Sequence, residues 1–479
     1  MTSAELIALL PLIILSGGVV GILLVVAFYR NHPLTMALTL VVLTLAFLSL
    51  GKSSSSGAPQ ITRLLILDPF AQFYMGLLFA ATLATVGLSY GYLKIRQGNR
   101  EEFYILLLLA TLGAAVLVAS THFASFFLGL EILSVALYGL IAYPRLRGNA
   151  LEASLKYLIL AGASAAFLLF GMALVYARLG TMEFTRIAAL FRNTLPEVGS
   201  IWVLAGLGML VVGMGFKLAV VPFHMWTPDV YEGAPAPVSG FVATVSKGAV
   251  VALLLRFFLP LDFSAHGSLF AVFSLIAVAS MCVGNLLALF QTNVKRILAY
   301  SSIAHLGYLL VAFLASGAMA FTAVAFYLVA YFVTTLGAFG VVTIVSGEQK
   351  DADRIEDYRG LFWRHPWLAG VFTAMLLSLA GIPLTAGFIG KFYLVLAGVG
   401  SALWLLVVVL VITSGIGLFY YLRLLLPMYE HPSGEGEALP LSPSIPVVGG
   451  VVVAALTLLL FWLGVLPAPL MEMIRTMLI

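Results

Sequence analysis

Charge is what this sequence lacks most. Of its 479 residues only 9% are Asp, Glu, Lys or Arg, against 62% hydrophobic, and no water-soluble domain of this length covers its surface with so few ionisable groups. Cysteine is almost absent as well. The single Cys282 excludes disulfides and cysteine-bound iron–sulfur clusters within the chain, and its apolar surroundings make it a packing residue. No Gly-rich phosphate loop follows a strand and no His-Glu-x-x-His occurs, so neither nucleotide nor zinc chemistry has a motif here. If the protein serves a redox reaction, its cofactors are carried elsewhere. The net charge of +4 is too small to mark a nucleic-acid partner.

What is present is apolar length. Runs of roughly 18 residues or more recur from end to end, the mark of a polytopic α-helical membrane protein. A β-barrel would instead alternate over about ten residues. The length rule predicts about fourteen transmembrane helices, at 5–28, 34–51, 68–92, 103–118, 122–143, 154–178, 201–231, 236–258, 269–291, 295–315, 320–346, 366–398, 402–428 and 446–468. The first run lacks the basic residues and the cleavage site of a signal peptide and reads as a retained helix. Connections are short, the longest polar stretches being 179–200, 347–365 and 430–445. An even number of spans puts both termini on one side. Twelve Lys and Arg in the connections, among them Arg96, Arg145, Arg147, Lys295 and Arg296, fall on one side, against seven on the other, Arg256 included. That bias assigns the first set to the cytoplasm and both termini to the outside.

Two segments are too long for one ordinary span and carry breakers. Segment 201–231 holds Pro222 and Pro228; segment 366–398 holds Gly381, Pro383, Gly387 and Gly390. They stand five segments apart, and a five-helix unit inverts its second copy. Paired broken helices in corresponding positions point to an inverted-repeat transporter. The expected organisation is helices 1–3 in 1–100, a first repeat of helices 4–8 in 101–260, a second of helices 9–13 in 265–430, and helix 14 in 431–479. The register is imperfect, since Lys217 precedes its proline whereas Lys391 follows Pro383.

Charges inside the spans carry the functional signal. Lys156, Lys217, Lys247 and Lys391 fall within predicted helices, as does Glu131. A charge at the bilayer centre costs roughly 2.5 kcal/mol or more, so such groups face a polar interior and mark ion routes. Taking a carboxyl or an amine out of water disfavours its charged form, which suits both types to proton exchange. A proline break frees backbone groups that cannot stay unpaired in lipid, so the broken segment must line a watered cavity. Glu131 and Lys217 are expected to share one pocket, in contact or bridged by water. Lys156 has Glu152 one turn earlier, an (i, i+4) pair that also fits a structural role. His224 lies beside the first break, and His305 lies among Ser301, Ser302 and Tyr308, a patch able to hold water.

The stretch "GFKLAVVPFHMWTPDVYEGAPAPVSGFVATVSKGA", residues 215–249, resembles the core of the antiporter-like membrane subunits of respiratory complex I. "FLGLEILSVALYGLIAY", "LEASLKYLIL", "NVKRILAYSSIAHLGY", "YRGLF" and "SLAGIPLTAGFIGKFY" extend the resemblance over essentially the whole chain. The details are similar to N-type rather than L- or M-type chains, because Lys391 stands where M-type chains carry a glutamate. The resemblance implies an all-α membrane fold of fourteen helices with two inverted five-helix repeats and two broken helices. It also implies a subunit that translocates protons through Glu131, Lys156, Lys217, His224, Lys247, His305 and Lys391, without a cofactor of its own. NADH, FMN, iron–sulfur clusters and quinone would lie in partner subunits of the membrane-bound complex, in a bacterial cytoplasmic membrane. Protons would enter near Glu131 and Lys217, pass Lys247 and leave near Lys391. The rival readings are a subunit of a multisubunit sodium/proton antiporter and a non-transporting scaffold.

Overall fold

Backbone N–H and C=O groups find no water in lipid and must pair within their own segment, so long apolar runs fold as helices. The computed structural model describes residues 3–54, 61–144, 148–193, 201–261, 267–315, 317–431 and 445–476, and among these the regular structure is helical, with three isolated β-bridges. The main elements, in chain order, are α1 (Leu10–Phe28), α2 (His32–Ser54), α3 (Pro69–Lys94), α4 (Glu101–Ala119), α5 (Phe123–Ile141), α6 (Gly148–Leu179), α7 (Ile201–Leu218), the short α8 (Trp226–Gly233), α9 (Ala236–Leu261), α10 (Gly267–Ala288), α11 (Val294–Leu314), α12 (Ala318–Val345), α13 (Pro366–Ala380), α14 (Ala386–Gly400), α15 (Trp404–Tyr429) and α16 (Val447–Val465). Among the described residues thirteen helices are long and apolar enough to cross a membrane. The shorter α13 and α14 occupy the segment expected to form one broken crossing, which brings the number to the expected fourteen.

Three departures from the expected boundaries matter. α6 starts at Gly148, so Glu152 and Lys156 lie in its second and third turns and not at its entrance. α9 contains a π turn, Val242–Ser246, directly before Lys247. The polar stretch 179–200 contains a short amphipathic helix, Phe184–Asn193, whose Phe184, Ile187 and Phe191 are buried while Arg186 is exposed.

The chain divides into two compact units. The first comprises Met1–Val86, Asn99–Ala219 and Val245–Leu269; the second comprises Gly87–Gly98, Val220–Thr244 and Phe270–Ile479. In the first unit α4 and α5 cross at Gly113 and Gly129. A Cβ on Gly113 would stand 2.5 Å from Leu133 N, and one on Gly129 2.8 Å from Leu117 N, so only glycine allows this backbone approach. In the second unit α10 and α11 cross in the same way at Gly284 and Gly307, where a Cβ would meet Ala304 N at 2.7 Å and Met281 N at 2.9 Å.

A second device recurs. Ahead of α5, Phe123 N donates to Met182 O and Phe184 N donates to Thr121 O, forming the His122–Glu183 bridge. Ahead of α11, Val294 N donates to Asp353 O and Ile355 N to Thr292 O, forming the Asn293–Arg354 bridge. Each bridge residue also caps its helix, His122 accepting from Ala124 N and Asn293 from Arg296 N.

Several cations counted toward topology are tied into ion pairs. Arg256 meets Asp68 with two parallel hydrogen bonds of 2.7 and 2.9 Å, donates to Val118 O and lies over the Phe70 ring. In the second unit Asp351 is buried between Lys295 and Arg96, with Tyr92 donating to the same carboxylate. Arg296 bridges Asp229 and Glu232. Arg145 and Arg147 lie outside the described residues.

Candidate functional site

Both segments expected to break do so. α7 stops at Leu218; Ala219 takes φ 61°, and residues 219–225 run irregularly, with a cis Val221–Pro222 bond, before α8 resumes. α13 stops at Ala380, Gly381 takes φ 90° and Leu384 takes φ 71° before Thr385 caps α14. Proline and the left-handed residues deny the chain a continuous hydrogen-bond ladder at these points.

Lys217 occupies the last turn of α7, where unpaired carbonyls favour a cation. It is buried, and its ammonium donates to Ser134 Oγ at 2.7 Å and to the Tyr157 hydroxyl at 3.3 Å. Ser134 spends its own hydrogen on Leu130 O, so its oxygen is free to accept from the lysine. The ammonium also lies 5.1 Å from the centre of the Tyr157 ring and 5.7 Å from that of Phe216, a cation–π setting that helps hold a desolvated charge. Glu131 lies one turn before Ser134 on the same face of α5. Its carboxylate acts on Lys217 through space; the direct partner is Ser134, so the two expected residues are brought together without touching.

Lys391 is held differently. Its Nζ donates to Leu379 O at 2.8 Å, Ala380 O at 2.9 Å and Ser414 Oγ at 2.7 Å, three acceptors for the three ammonium hydrogens. Two of these are carbonyls orphaned where α13 ends. Gly381 leaves the space: a Cβ there would stand 2.9 Å from Lys391 Cδ. The break thus supplies ligands as well as an opening.

The remaining expected residues are distributed as follows. Lys247 is buried at the first position after the π turn of α9. His224 is buried on the irregular stretch after α7. His305 is buried in α11, with Nδ1 2.6 Å from the Tyr327 hydroxyl and Nε2 3.3 Å from that of Tyr421. Lys156 pairs with Glu152 at 2.8 Å, and both side chains are exposed on this chain, at 44% and 64%. The structure brings together Glu131 with Lys217.

Sequence reasoning passed over Ser134, Tyr157, Ser414, Tyr327 and Tyr421. Ser134 was findable, since it stands three residues after Glu131 and so shares its helix face. The tyrosines were not, because an aromatic in an apolar run reads first as packing.

The family model described as "NADH:quinone oxidoreductase/Mrp antiporter, TM" matches residues 120–417. The chain belongs to this family. Among its relatives, the NADH-quinone oxidoreductase subunit N of Nitrosospira multiformis (strain ATCC 25196 / NCIMB 11849 / C 71) is 55% identical over 486 residues, 98% of this chain and 96% of that protein. The subunit N of Ectopseudomonas mendocina (strain ymp) is 49% identical over 482 residues, 99% of this chain and 97% of that one. Among solved structures, a chain of respiratory complex I from Thermus thermophilus with bound aureothin superposes with a TM-score of 0.82 at 35% identity, covering 96% of this chain and 98% of that chain. As a member of this antiporter-like family the chain is a multi-pass membrane protein. Among the described residues no three His, Cys, Asp or Glu side chains stand together as a metal site.

Proposed function

We propose that this chain is the N-type, proton-translocating membrane subunit of a bacterial NADH:quinone oxidoreductase. The observation that carries the reading is the pair of buried lysines, one at each helix break, each given polar ligands in an otherwise apolar span. A buried ammonium with such ligands is a site that can hold or release a proton, and nothing in a passive anchor requires two of them. The names of relatives matching along nearly their whole length support the same reading.

In this reading protons enter near Glu131 and Lys217, move by way of Lys247 and His305, and leave near Lys391. Moving Glu131 relative to Lys217 sets the process off: opposite charges attract by roughly 4 kcal/mol at 4 Å and under about 2 at 10 Å for an effective dielectric near 20, so a shift of a few ångströms changes the balance between ammonium and amine. NADH, FMN, iron–sulfur clusters and quinone belong to the partner subunits, whose electron transfer drives that shift. The recurrence of the glycine crossing and of the capped bridge supports two inverted five-helix repeats, in 101–260 and 265–430. The charge bias supports periplasmic termini.

The test is Lys217→Arg in the complete complex, reconstituted into sealed vesicles. Arginine keeps the charge but does not give up its proton near neutral pH. Protons moved per NADH oxidised should fall while uncoupled electron transfer continues. Full pumping by the assembled variant would overturn the reading, and a sodium requirement in the same assay would favour the antiporter alternative.

A further inference from the structure

Asn285 is a carboxamide in the apolar run "VGNLLALF" of α10 and is fully buried. An amide there is tolerable only if its donors and acceptor are satisfied, and they are. Nδ2 donates to Met281 O at 2.8 Å and to the Tyr308 hydroxyl at 2.7 Å, while Oδ1 accepts from the Tyr420 hydroxyl at 3.1 Å. The Met281 carbonyl can only accept, so it fixes which end of the amide faces it. The Tyr308 hydroxyl receives its hydrogen from the amide, so the direction of this contact is fixed as well. Gly417 clears the other side: a Cβ there would stand 3.2 Å from Asn285 Oδ1 and 3.4 Å from the Tyr420 oxygen.

The amide joins two hydroxyls, each on a residue beside one part of the route proposed above. On one side the Lys391 ammonium lies 5.3 Å from the centre of the Tyr308 ring. On the other the Tyr420 ring lies 4.4 Å from that of Tyr421, whose hydroxyl meets His305. We propose that Asn285 is a positioning residue that insulates the Lys391 end of the proton route from the His305 end. This rests on the reading of Lys391 and His305 as proton sites.

A proton hops along hydrogen bonds only where each group takes one proton and gives up another. Hydroxyl and imidazole groups do both. A carboxamide does not: a proton taken at Oδ1 could leave from Nδ2 only by leaving the imidic acid tautomer behind. The hydrogen bonds through Asn285 are therefore complete but do not conduct, and their directions are fixed. Transfer between His305 and Lys391 therefore does not run through these bonds, and at this point they hold an imposed gradient when the enzyme is idle.

The complete complex in sealed proteoliposomes tests this with two readouts: the decay of an imposed pH gradient with the enzyme idle, and protons translocated per NADH oxidised. Asn285→Asp supplies a carboxyl that takes a proton on one oxygen and releases it from the other. The idle gradient should then collapse several-fold faster, with uncoupled electron transfer reporting assembled complex. Asn285→Leu cannot relay and should stay as tight as the parent. Equal leaks in both variants would assign Asn285 a packing role, and a tight Asp variant would overturn the insulation. Should Asn285→Asp fail to assemble, Tyr420→Phe decides. It removes the O–H aimed at Oδ1 and keeps the ring in place, so protons per NADH should stay the same; a fall would make this hydroxyl part of the conducting route and overturn the proposal. Lys391→Leu separates this from the reading beneath it. Unimpaired pumping by Lys391→Leu defeats the proton-site reading, whereas a tight Asn285→Asp membrane beside a pumping-deficient Lys391→Leu defeats the insulation alone.

Discussion

Lys217 and Lys391 both stand at a helix break, but different kinds of atom hold them. Lys217 is held by side chains, Ser134 and Tyr157, with two aromatic rings around it and a glutamate acting from a distance. Lys391 is held mainly by backbone, two carbonyls at the end of α13 with Ser414 completing the set. Side chains turn over on fast timescales, whereas a pair of helix-end carbonyls moves only when the helix moves. On the proposed reading the first site is the adjustable one, suited to receiving a signal from Glu131. The second changes only if its break changes shape.

The largest effect that would break this comparison lies at the left-handed residues. Gly381→Ala puts a Cβ at φ 90° and 2.9 Å from Lys391 Cδ, and should cost about 1–2 kcal/mol in backbone strain alone together with most of the pumping. The first break already carries a non-glycine at φ 61°, so Ala219→Gly should be tolerated, with a melting temperature of the complex no lower than the parent's. Pumping by Gly381→Ala at the parental level would show that the carbonyl cradle is dispensable.

An intermediate effect separates the two serines. Ser134→Ala removes one of two polar partners of Lys217, and a hydrogen bond to a charged group contributes about 1.5–3 kcal/mol. Ser414→Ala leaves two carbonyls on Lys391. Protons per NADH should fall further in Ser134→Ala; equal losses would erase the distinction between a side-chain site and a backbone site.

The smallest effect concerns the two bridges. Burial pushes the His122 imidazole below its usual range, with the Glu183 carboxylate partly opposing, and its Nδ1 accepts the capping hydrogen bond only when unprotonated. A folded-state value below the unfolded one means the cap contributes above the unfolded pKa, about 6.5, and is lost as pH falls through the folded value. Asn293 does not titrate. Hydrogen exchange, corrected for its intrinsic pH dependence, should loosen the start of α5 in mild acid and leave the start of α11 unchanged. A cap of this kind contributes about 1 kcal/mol; parallel behaviour of both starts would assign no role to the imidazole.

Much of the fold was legible because lipid imposes one rule on every span. Apolar length located the helices, and Pro222, Gly381 and Pro383 located both interruptions, since each residue acts through its own backbone. Lys217, Lys247 and Lys391 announced themselves by their cost in an apolar run. What stayed hidden depends on which helix faces which. Ser134 meets Lys217 across 83 positions of sequence and Tyr327 meets His305 across 22, and neither pairing follows from a residue's own type. The π turn before Lys247 leaves no composition signature in "VATVS", because it is a matter of hydrogen-bond register and not of residue preference. In the sequence Arg256, Lys295 and Arg296 stand only as connection charges; their ion pairs emerge once the loops are closed.

The backbone cradle of Lys391 limits what substitution experiments can see. A side-chain scan can delete Ser414, but no exchange of residue type deletes the carbonyl oxygens of Leu379 or Ala380. A scan of Leu379 and Ala380 themselves would rank the cradle as robust even if their carbonyl oxygens were indispensable. Its importance would surface instead in changes that alter the path of the main chain: a residue inserted into or removed from 381–385, or a backbone ester in place of the amide after Leu379 or Ala380, which keeps the oxygen but weakens it as an acceptor.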